Sequence, residues 1–311
     1  MPRKARVVTS SFHRAGGSVE ENRDFACWLA DAAAAERADL LCLPETFLDI
    51  GIPRERRPTV EALDGPSLTA LSERARRHGM WIVAPVSLPG ANGRVLNSAV
   101  LLDRTGAVAG RYVKVHPTIP ECDARRMTPG SEALVVETDI GRIGFAICYD
   151  IGWPAHWSAL RDAGAEIVVW PSAYDGGFPL NAYAWTNGYH VVSAVATEHA
   201  KIIDPLGQEL ASTSRWARIA AATVDLDAEI FHIDDQVEKL ARLQHDLGAR
   251  VHVQSSTEAH LFRLSSQDET LPLAEIKQRY GLENFADYHR RAAAVQDRHR
   301  PLQSSGLRDV G

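Results

Sequence analysis

Apolar and polar residues follow one another along the first 230 residues in a pattern that predicts alternating strands and helices. Arg6–Phe12 is a short β-branched run typical of a strand. Apolar side chains then recur at helical spacing up to Ala35. Ser18 and Glu21, three residues apart, predict a capping box where this helix begins. Asp39–Pro44 is almost continuously apolar, as expected of a strand that is buried on both faces.

Turn residues divide the following part of the chain into hairpins and further helices. The predicted strands are Met80–Leu88, Val95–Asp103, Val108–Val113, Ala133–Thr138, Arg142–Cys148, Glu166–Trp170, Tyr189–Ala196, Lys201–Asp204 and Arg218–Val224. The predicted helices are Pro66–His78, Pro154–Ala163 and Leu180–Gly188. This order predicts an α/β protein, α+β in its hairpin-rich part, with a mixed sheet or two packed sheets covered by helices.

The chain changes character after Asp227. Three polar, charged helices are predicted there, at Asp234–Leu247, Leu273–Tyr280 and Asn284–His299. Because these helices carry too few apolar residues to bury much surface by themselves, we expect them to need a larger partner. We therefore predict a main domain of residues 1–232 and a C-terminal helical extension of residues 233–311, packed on the core or on a partner subunit.

Composition and charge narrow the classes of function. A chain of 311 residues with 45% hydrophobic residues can bury a large core without disulfides. Its net charge of −6 disfavours a nucleic-acid partner. No secretory signal and no apolar stretch of about 18 residues is visible, so no membrane association is expected. The four cysteines lack metal-type spacing, which predicts a reduced, cytoplasmic protein without a metal site.

Three residues lie at the ends of predicted strands, a position where catalytic groups often occur. Cys148 follows an apolar run and precedes a Gly-Trp-Pro turn into a helix, an arrangement that exposes a side chain at a strand–turn–helix elbow. Glu45 comes directly after the buried Asp39–Pro44 strand, and Lys114 ends another strand. Each has an ordinary alternative: Cys148 as a small buried hydrophobe, Glu45 and Lys114 as solvated surface charges.

Together the three segments resemble the nitrilase superfamily of carbon–nitrogen hydrolases. The matching motifs are Leu43-Pro-Glu45-Thr-Phe47, Tyr112-Val-Lys114-Val-His116 and Ile147-Cys148-Tyr-Asp150, in the order in which that family carries its Glu–Lys–Cys triad. Val169-Trp-Pro-Ser172-Ala173 and Lys201-Ile-Ile-Asp-Pro-Leu-Gly207 are further matches. The resemblance extends over residues 5–230, and this combination of motifs is far more specific than any one of them.

The resemblance implies a fold, a mechanism and an assembly. The fold would be a four-layer αββα sandwich, usually assembled as a homodimer. Glu45 would be the general base, Lys114 would stabilise the tetrahedral intermediate, and Cys148 would form a thioester acyl-enzyme. The backbone N–H of Tyr149 would donate to the oxyanion. An ammonium next to the thiol favours its ionisation, and the reaction needs no metal or organic cofactor.

A second glutamate is expected between the lysine and the cysteine. Glu121, in Pro117-Thr-Ile-Pro-Glu121, stands where many relatives place a residue that positions the lysine and the substrate; a surface glutamate is the alternative. Cys122 next to it lacks the strand-end context of Cys148. Cys27 and Cys42 are interpreted as packing residues.

The substrate is less well defined than the chemistry. The Arg and Glu that often follow the family's nucleophile are absent here, whereas Asp150 resembles the amidase and carbamoylase branches. We therefore expect a small-molecule amide or N-carbamoyl compound that releases ammonia or an amine. A nitrilase, an acyl or amide transferase and a catalytically silent scaffold remain alternatives. Candidate pocket residues are Trp153, Ser172, Ala173 and Tyr174, although ordinary packing explains such aromatic residues equally well.

Overall fold

The structure is a computed structural model that describes residues 3–12, 17–53 and 59–300. Lys4–Leu226 form one compact unit, and the described residues from Asp227 onward, with Arg3, form a second. The strands of the first unit are β1 (Lys4–Ser10), β2 (Leu40–Cys42), β3 (Trp81–Pro89), β4 (Val95–Leu102), β5 (Val108–Val113), β6 (Val135–Thr138), β7 (Gly141–Phe145), β8 (Ile167–Ser172), β9 (His190–Val195), β10 (Lys201–Ile203), β11 (Glu209–Ser212) and β12 (Ile219–Asp225). Its helices are α1 (Val19–Ala35), α2 (Pro66–His78), α3 (Ile119–Asp123), α4 (Pro154–Asp162) and α5 (Phe178–Asn187).

The strands of the first unit form two six-stranded mixed sheets. The first sheet has the order β12-β1-β2-β3-β4-β5, and the second has the order β11-β10-β9-β8-β7-β6. In both sheets the central strands pair in parallel. In the first sheet β2 pairs with β1 and with β3, and in the second β8 pairs with β7 and with β9. Antiparallel hairpins extend the edges, which accounts for the mixture of βα units and hairpins that the sequence pattern predicts.

Three hydrophobic layers hold the two sheets and their helices together. One lies between α1 and α2 and the first sheet, where Leu29 and Leu71 pack with Ile82. The middle layer lies between the sheets and joins Val83 to Phe145. The third lies between the second sheet and α4 and α5, a cluster whose buried residues include Trp157, Leu180 and Val168. This is the four-layer αββα sandwich that the family resemblance implies, so the predicted fold is confirmed.

Most predicted elements of the first unit appear within a few residues of their expected bounds. At the start of α1 the Ser18 side chain accepts a hydrogen bond from the Glu21 N–H at 3.2 Å, as predicted. The return bond differs, because the Glu21 carboxylate accepts from the N–H of Gly17 rather than Ser18. The strand predicted at Arg142–Cys148 ends at Phe145, and the sequence pattern missed the short elements α3 and β11.

The second unit contains a small sheet as well as helices. Its strands are β13 (Glu229–His232), β14 (Val251–Ser256) and β15 (Leu261–Ser266), in the order β13-β15-β14, and its helices are α6 (Val237–Leu247), α7 (Leu273–Tyr280) and α8 (Phe285–His299). Phe231 and Phe262 stack at 5.1 Å in the core of this unit. The three predicted C-terminal helices are confirmed, and the sequence pattern missed the three short strands that accompany them.

The domain bounds 1–232 and 233–311 and the packing partner of the extension stay predictions, and residues 301–311 lie outside the described residues. Among the described helices, none combines the length and the apolar character needed to cross a bilayer.

Candidate active site

Cys148 lies at a sharp turn between β7 and α4. Cys148–Gly152 form a short 3₁₀ turn, and α4 begins at Pro154. The backbone of Cys148 is left-handed, with φ of 45°. Such a conformation is strained for a residue with a side chain, and it persists where the surroundings enforce it, often at active sites. The strand–turn–helix elbow expected from the sequence is therefore present.

The carboxylate of Asp150 stabilises this elbow by accepting hydrogen bonds from the segments around it. It is completely buried and accepts from the N–H of Ile147 at 2.7 Å and from the N–H of His116 at 2.9 Å. The hydroxyl of Tyr112 donates to it at 2.7 Å, and the His116 ring lies 2.8 Å away. Because these partners come from the β5 end of the first sheet and the β7 end of the second, Asp150 connects the elbow to both sheets.

Glu45 and Lys114 form a buried ion pair. Glu45 lies just beyond β2, Lys114 directly follows β5, and the two side chains are 5% and 1% exposed. The Nζ of Lys114 donates to Oε1 of Glu45 at 2.8 Å. Buried charges are stable only when they are paired and hydrogen-bonded. The alternative of two solvated surface charges is therefore excluded.

Glu121 completes the surroundings of Lys114. Its two carboxylate oxygens accept from Nζ at 3.0 and 2.9 Å. A capping box with Thr118 fixes Glu121 in α3, since the Thr118 N–H donates to the carboxylate at 2.7 Å. The alternative of a free surface glutamate does not hold.

Asn97 joins the two glutamates. It lies on β4 and is 1% exposed, and its Nδ2 donates to Oε1 of Glu45 at 2.8 Å and to Oε1 of Glu121 at 3.2 Å. Sequence reasoning missed this residue. The available signal was an Asn inside the apolar strand Val95–Leu102, because a buried amide needs hydrogen-bond partners.

The Cys148 thiol is neutral in the resting site. Burial and the negative charge of Glu45 raise the pKa of Cys148 to about 12, while Lys114 and hydrogen bonding from Ala173 and Ser172 act in the opposite direction. The expectation that the ammonium promotes ionisation is correct in sign, but burial and Glu45 outweigh it. A base that removes the thiol proton during attack is therefore needed.

Lys114 stays protonated. Burial by itself lowers the pKa of this amine, but the carboxylates of Glu45 and Glu121, joined by Cys148 whenever it is a thiolate, raise it well above its ordinary value. The same pairing acts on Glu121, whose pKa is lowered by Lys114 against the opposing effect of burial. A fixed positive charge therefore lies beside the thiol at neutral pH.

The two sheets supply opposite walls of one cavity of about 950 Å³. Glu45 and Lys114 come from the first sheet, whereas Cys148 and Ala173 come from the second, and all four line the cavity together with Glu121. Glu45, Lys114 and Glu121 thus share one cavity with the Cys148 side chain. A pocket of this size accommodates a small molecule.

The other predicted pocket residues have different surroundings. Ser172 ends β8, is completely buried and acts on the thiol through the hydrogen bonding named above. Burial raises the pKa of Tyr174 to about 12, with a further contribution from Cys148 when that residue is a thiolate. Trp153 stacks on His116 with ring centroids 4.1 Å apart and meets Tyr149 edge to face at 4.9 Å. Tyr149, Trp153 and Tyr174 are not among the described residues that line the cavity. Tyr149 and Trp153 belong to the elbow, whereas Tyr174 meets Trp170 edge to face at 5.5 Å.

Fold and site together define a class of hydrolase, and comparison with known proteins agrees. Residues 15–230 match the family model of the carbon-nitrogen hydrolases. The chain therefore belongs to the carbon–nitrogen hydrolase family, within the nitrilase superfamily, and is an enzyme of that class.

Among characterised relatives, the human deaminated glutathione amidase is 32% identical over 64% of this chain and 70% of its own length. A Pseudomonas protegens protein named as a hydrolase in the pqqF 5′ region is 32% identical over 66% of this chain and 75% of its own.

Solved structures share the fold. Saccharomyces cerevisiae Nit3, a member of the nitrilase superfamily, is 18% identical with a TM-score of 0.64 and covers 79% of this chain and 95% of its own. An amidase from a Nesterenkonia species, crystallised with acrylamide as a double mutant, is 24% identical with a TM-score of 0.63, covering 78% of this chain and 98% of its own.

Proposed function

We propose that this enzyme hydrolyses a small-molecule amide or N-carbamoyl compound through a thioester on Cys148, with Glu45 as general base. The observation that carries the proposal is the position of Glu45, Lys114 and Cys148 on the walls of one cavity, with a neutral thiol next to a carboxylate. The names of the amidase relatives support an amide as the substrate class.

Acylation begins with transfer of the thiol proton to Glu45 as the sulfur attacks the carbonyl carbon. The new C–S bond forms while the carbonyl π electrons move onto oxygen. A positioned base contributes about 10²–10⁴-fold to such a step. The proton held by Glu45 then passes to the leaving nitrogen, the C–N bond breaks, and ammonia or an amine departs, leaving the thioester.

Charge on the tetrahedral oxygen requires fixed donors. The ammonium of Lys114 and the backbone N–H of Tyr149 are proposed to supply them, and one donor of this kind contributes roughly 10²–10³-fold. Glu121 and Asn97 keep Lys114 and Glu45 in place through the hydrogen bonds described above. This preorganisation means that the groups do not reorient when the charge develops.

Deacylation repeats the same reaction steps with water as the nucleophile. Glu45 accepts a proton from water as its oxygen attacks the thioester carbonyl. Collapse of the second tetrahedral intermediate breaks the C–S bond and returns a proton to the sulfur. It releases a carboxylic acid from an amide substrate, or from an N-carbamoyl substrate a carbamic acid that breaks down to carbon dioxide and an amine or ammonia. Apart from the attacking water, the groups that act in the proposed cycle are side chains and backbone of this chain.

Replacement of Cys148 tests the proposal. Cys148→Ala should abolish ammonia release from a panel of aliphatic amides, ω-amides and N-carbamoyl amino acids, while circular dichroism shows a folded protein. Cys122→Ala is the matched control, because Cys122 is half-buried on α3 and should not affect turnover. Turnover near that of the wild type in Cys148→Ala would refute the assignment.

The competing chemistries need their own assays. A nitrile and its matching amide distinguish a nitrilase from an amidase by ammonia release. Hydroxylamine traps the acyl-enzyme of a hydrolase and of a transferase alike, so product analysis with added amines must separate those two. A catalytically silent scaffold predicts no turnover of any of these compounds and no trapped acyl group.

A homodimer is proposed as the assembled form. Phe178 and Trp185 lie seven positions apart on α5, hence on one face, and are 78% and 51% exposed. Exposed aromatic residues grouped in this way are typical of an interface. Light scattering should give a dimer for the wild type and a smaller species for Trp185→Glu; equal masses would exclude this face.

A further inference from the structure

Three arginines line the cavity beyond the catalytic groups. Arg94 immediately precedes β4, and Arg125 and Arg126 follow α3. The two segments lie side by side, because Val95 and Met127 form a parallel bridge and the Val95 N–H donates to the Arg126 carbonyl at 3.1 Å. Residues more than thirty positions apart in sequence thus form one basic wall.

Much of the hydrogen-bonding capacity of this wall is unused. Arg94 donates to Oγ1 of Thr128 and to the Met127 carbonyl, both at 2.8 Å, which fixes its guanidinium but uses two of its five N–H groups. Arg126 donates to the Asn92 carbonyl at 3.3 Å. Within residues 3–12, 17–53 and 59–300, no carboxylate forms an ion pair with any of the three arginines.

The charge of the cavity is unequally distributed. Among the described residues, its lining has four cationic side chains and two carboxylates, although the chain as a whole carries a net charge of −6. Both carboxylates, Glu45 and Glu121, surround Lys114, which is 1% exposed and already donates to both. The end that holds Cys148 is therefore rich in carboxylate, and the available positive charge lies with the arginines.

We infer that Arg94, Arg125 and Arg126 bind an anionic group of the substrate, a carboxylate in particular, at a distance from the bond that is cleaved. This inference rests on the proposed function and adds the substrate class to it. Guanidinium groups bind carboxylates with strong, often bidentate hydrogen bonds. Repulsion by Glu45 and Glu121 orients the same substrate, because it keeps the anionic end away from the thiol.

The spacing along the chain guides the choice of a substrate probe. The Cα atoms of Arg94 and Asn97, three residues apart along extended backbone, are separated by about 10 Å at the usual rise per residue. Asn97 in turn contacts Glu45. We therefore expect several atoms between the scissile amide and the carboxylate, as in adipamate, whose amide and carboxylate are separated by four methylene groups.

Adipamate and hexanamide form a matched pair of probes, since a methyl group in hexanamide replaces the carboxylate. Calorimetry with the Cys148→Ala protein should show adipamate binding about tenfold or more tightly than hexanamide. Arg125→Gln and Arg94→Gln, each added to Cys148→Ala, should weaken adipamate binding by about 10- to 100-fold, as expected for hydrogen bonds to a charged group, and leave hexanamide unchanged. Arg77→Gln on α2, an exposed arginine outside the cavity, is the control and should change neither.

Equal binding of the two probes, or a preference for adipamate that survives both arginine substitutions, would overturn the inference. A different result would refute the proposed function and leave the inference about the arginines intact: wild-type enzyme that binds adipamate but releases ammonia from no amide of the panel. Salt gives a second readout, because screening should weaken binding of adipamate and not of hexanamide.

Discussion

Replacing Glu45 with glutamine should lower the catalytic rate but raise the reactivity of the Cys148 thiol toward an alkylating reagent. Without the proposed base, kcat should fall by roughly 10²–10⁴-fold. Without the negative charge that raises the pKa of the thiol, Cys148 should ionise more readily. Glutamine is the right replacement because its Oε1 can still accept from Lys114 and Asn97, both 2.8 Å from the carboxylate oxygen.

The size of the second effect follows from the charges around the thiol. A neighbouring charge shifts a pKa by roughly 1–3 pH units, so removing Glu45 should lower the pKa of Cys148 from about 12 to roughly 9–11. At a fixed pH of about 8, the thiolate population then rises about 10- to 1,000-fold. A less basic thiolate is also a weaker nucleophile, and the Brønsted coefficient that relates its reactivity to its pKa is about 0.4–0.5. The net alkylation rate should therefore rise roughly 3- to 60-fold.

Alkylation by iodoacetamide, followed by mass spectrometry of quenched peptide digests, measures this rate at each cysteine. Cys122 in the same chain is the internal reference, and its rate should not change. Glu137→Gln, which removes an exposed carboxylate on β6, is the control variant. If Cys148 in Glu45→Gln is alkylated at the wild-type rate or more slowly, the charge of Glu45 does not hold the thiol in its neutral form.

Three further substitutions test the groups around the thiol. Lys114→Ala should lower kcat by roughly 10²–10³-fold and affect KM less, in steady-state kinetics, because its charge acts on the transition state; an unchanged kcat would remove it from the mechanism. The pKa of Glu121 is lowered below its ordinary value of 4.5 in the folded protein, so its pairing stabilises the fold above that pH and the benefit is lost as pH falls. Urea unfolding should therefore show Glu121→Gln less stable than wild type at pH 7 and more nearly equal at about pH 4; a constant difference would contradict this. Asp150→Asn places an amide donor against N–H donors and should cost about 1–3 kcal/mol in urea unfolding, and wild-type stability would show that the elbow does not depend on it.

The sequence predicted packed sheets covered by helices and indicated three candidate residues that line one cavity, because each signal was local. Glu45, Lys114 and Cys148 each stand beside a strand end, a position visible from the run of apolar residues before it. The order of the three motifs along the chain then identified the family that the sequence resembles. Periodicity likewise identified α1 and α2 nearly to the residue, since each has a strong apolar face and clear end signals.

What the sequence did not reveal depends on pairing between distant segments. The basic wall of Arg94, Arg125 and Arg126 forms because Val95 lies beside Met127, and the local sequence pattern does not predict that bridge. Asp150 connects the two sheets only after both have formed. The strands of the second unit are short, and the exposed and buried positions of β14 do not alternate regularly, so a period of two was not recognisable.

The left-handed backbone of Cys148 limits what chemistry this scaffold can acquire. With φ at 45°, a side chain branched at Cβ is disfavoured more strongly than an unbranched one, although Thr46 adopts φ of 42° in the same chain. A threonine nucleophile at position 148 therefore carries a larger backbone cost than a serine. Libraries that seek new activities at this residue are best weighted toward unbranched side chains.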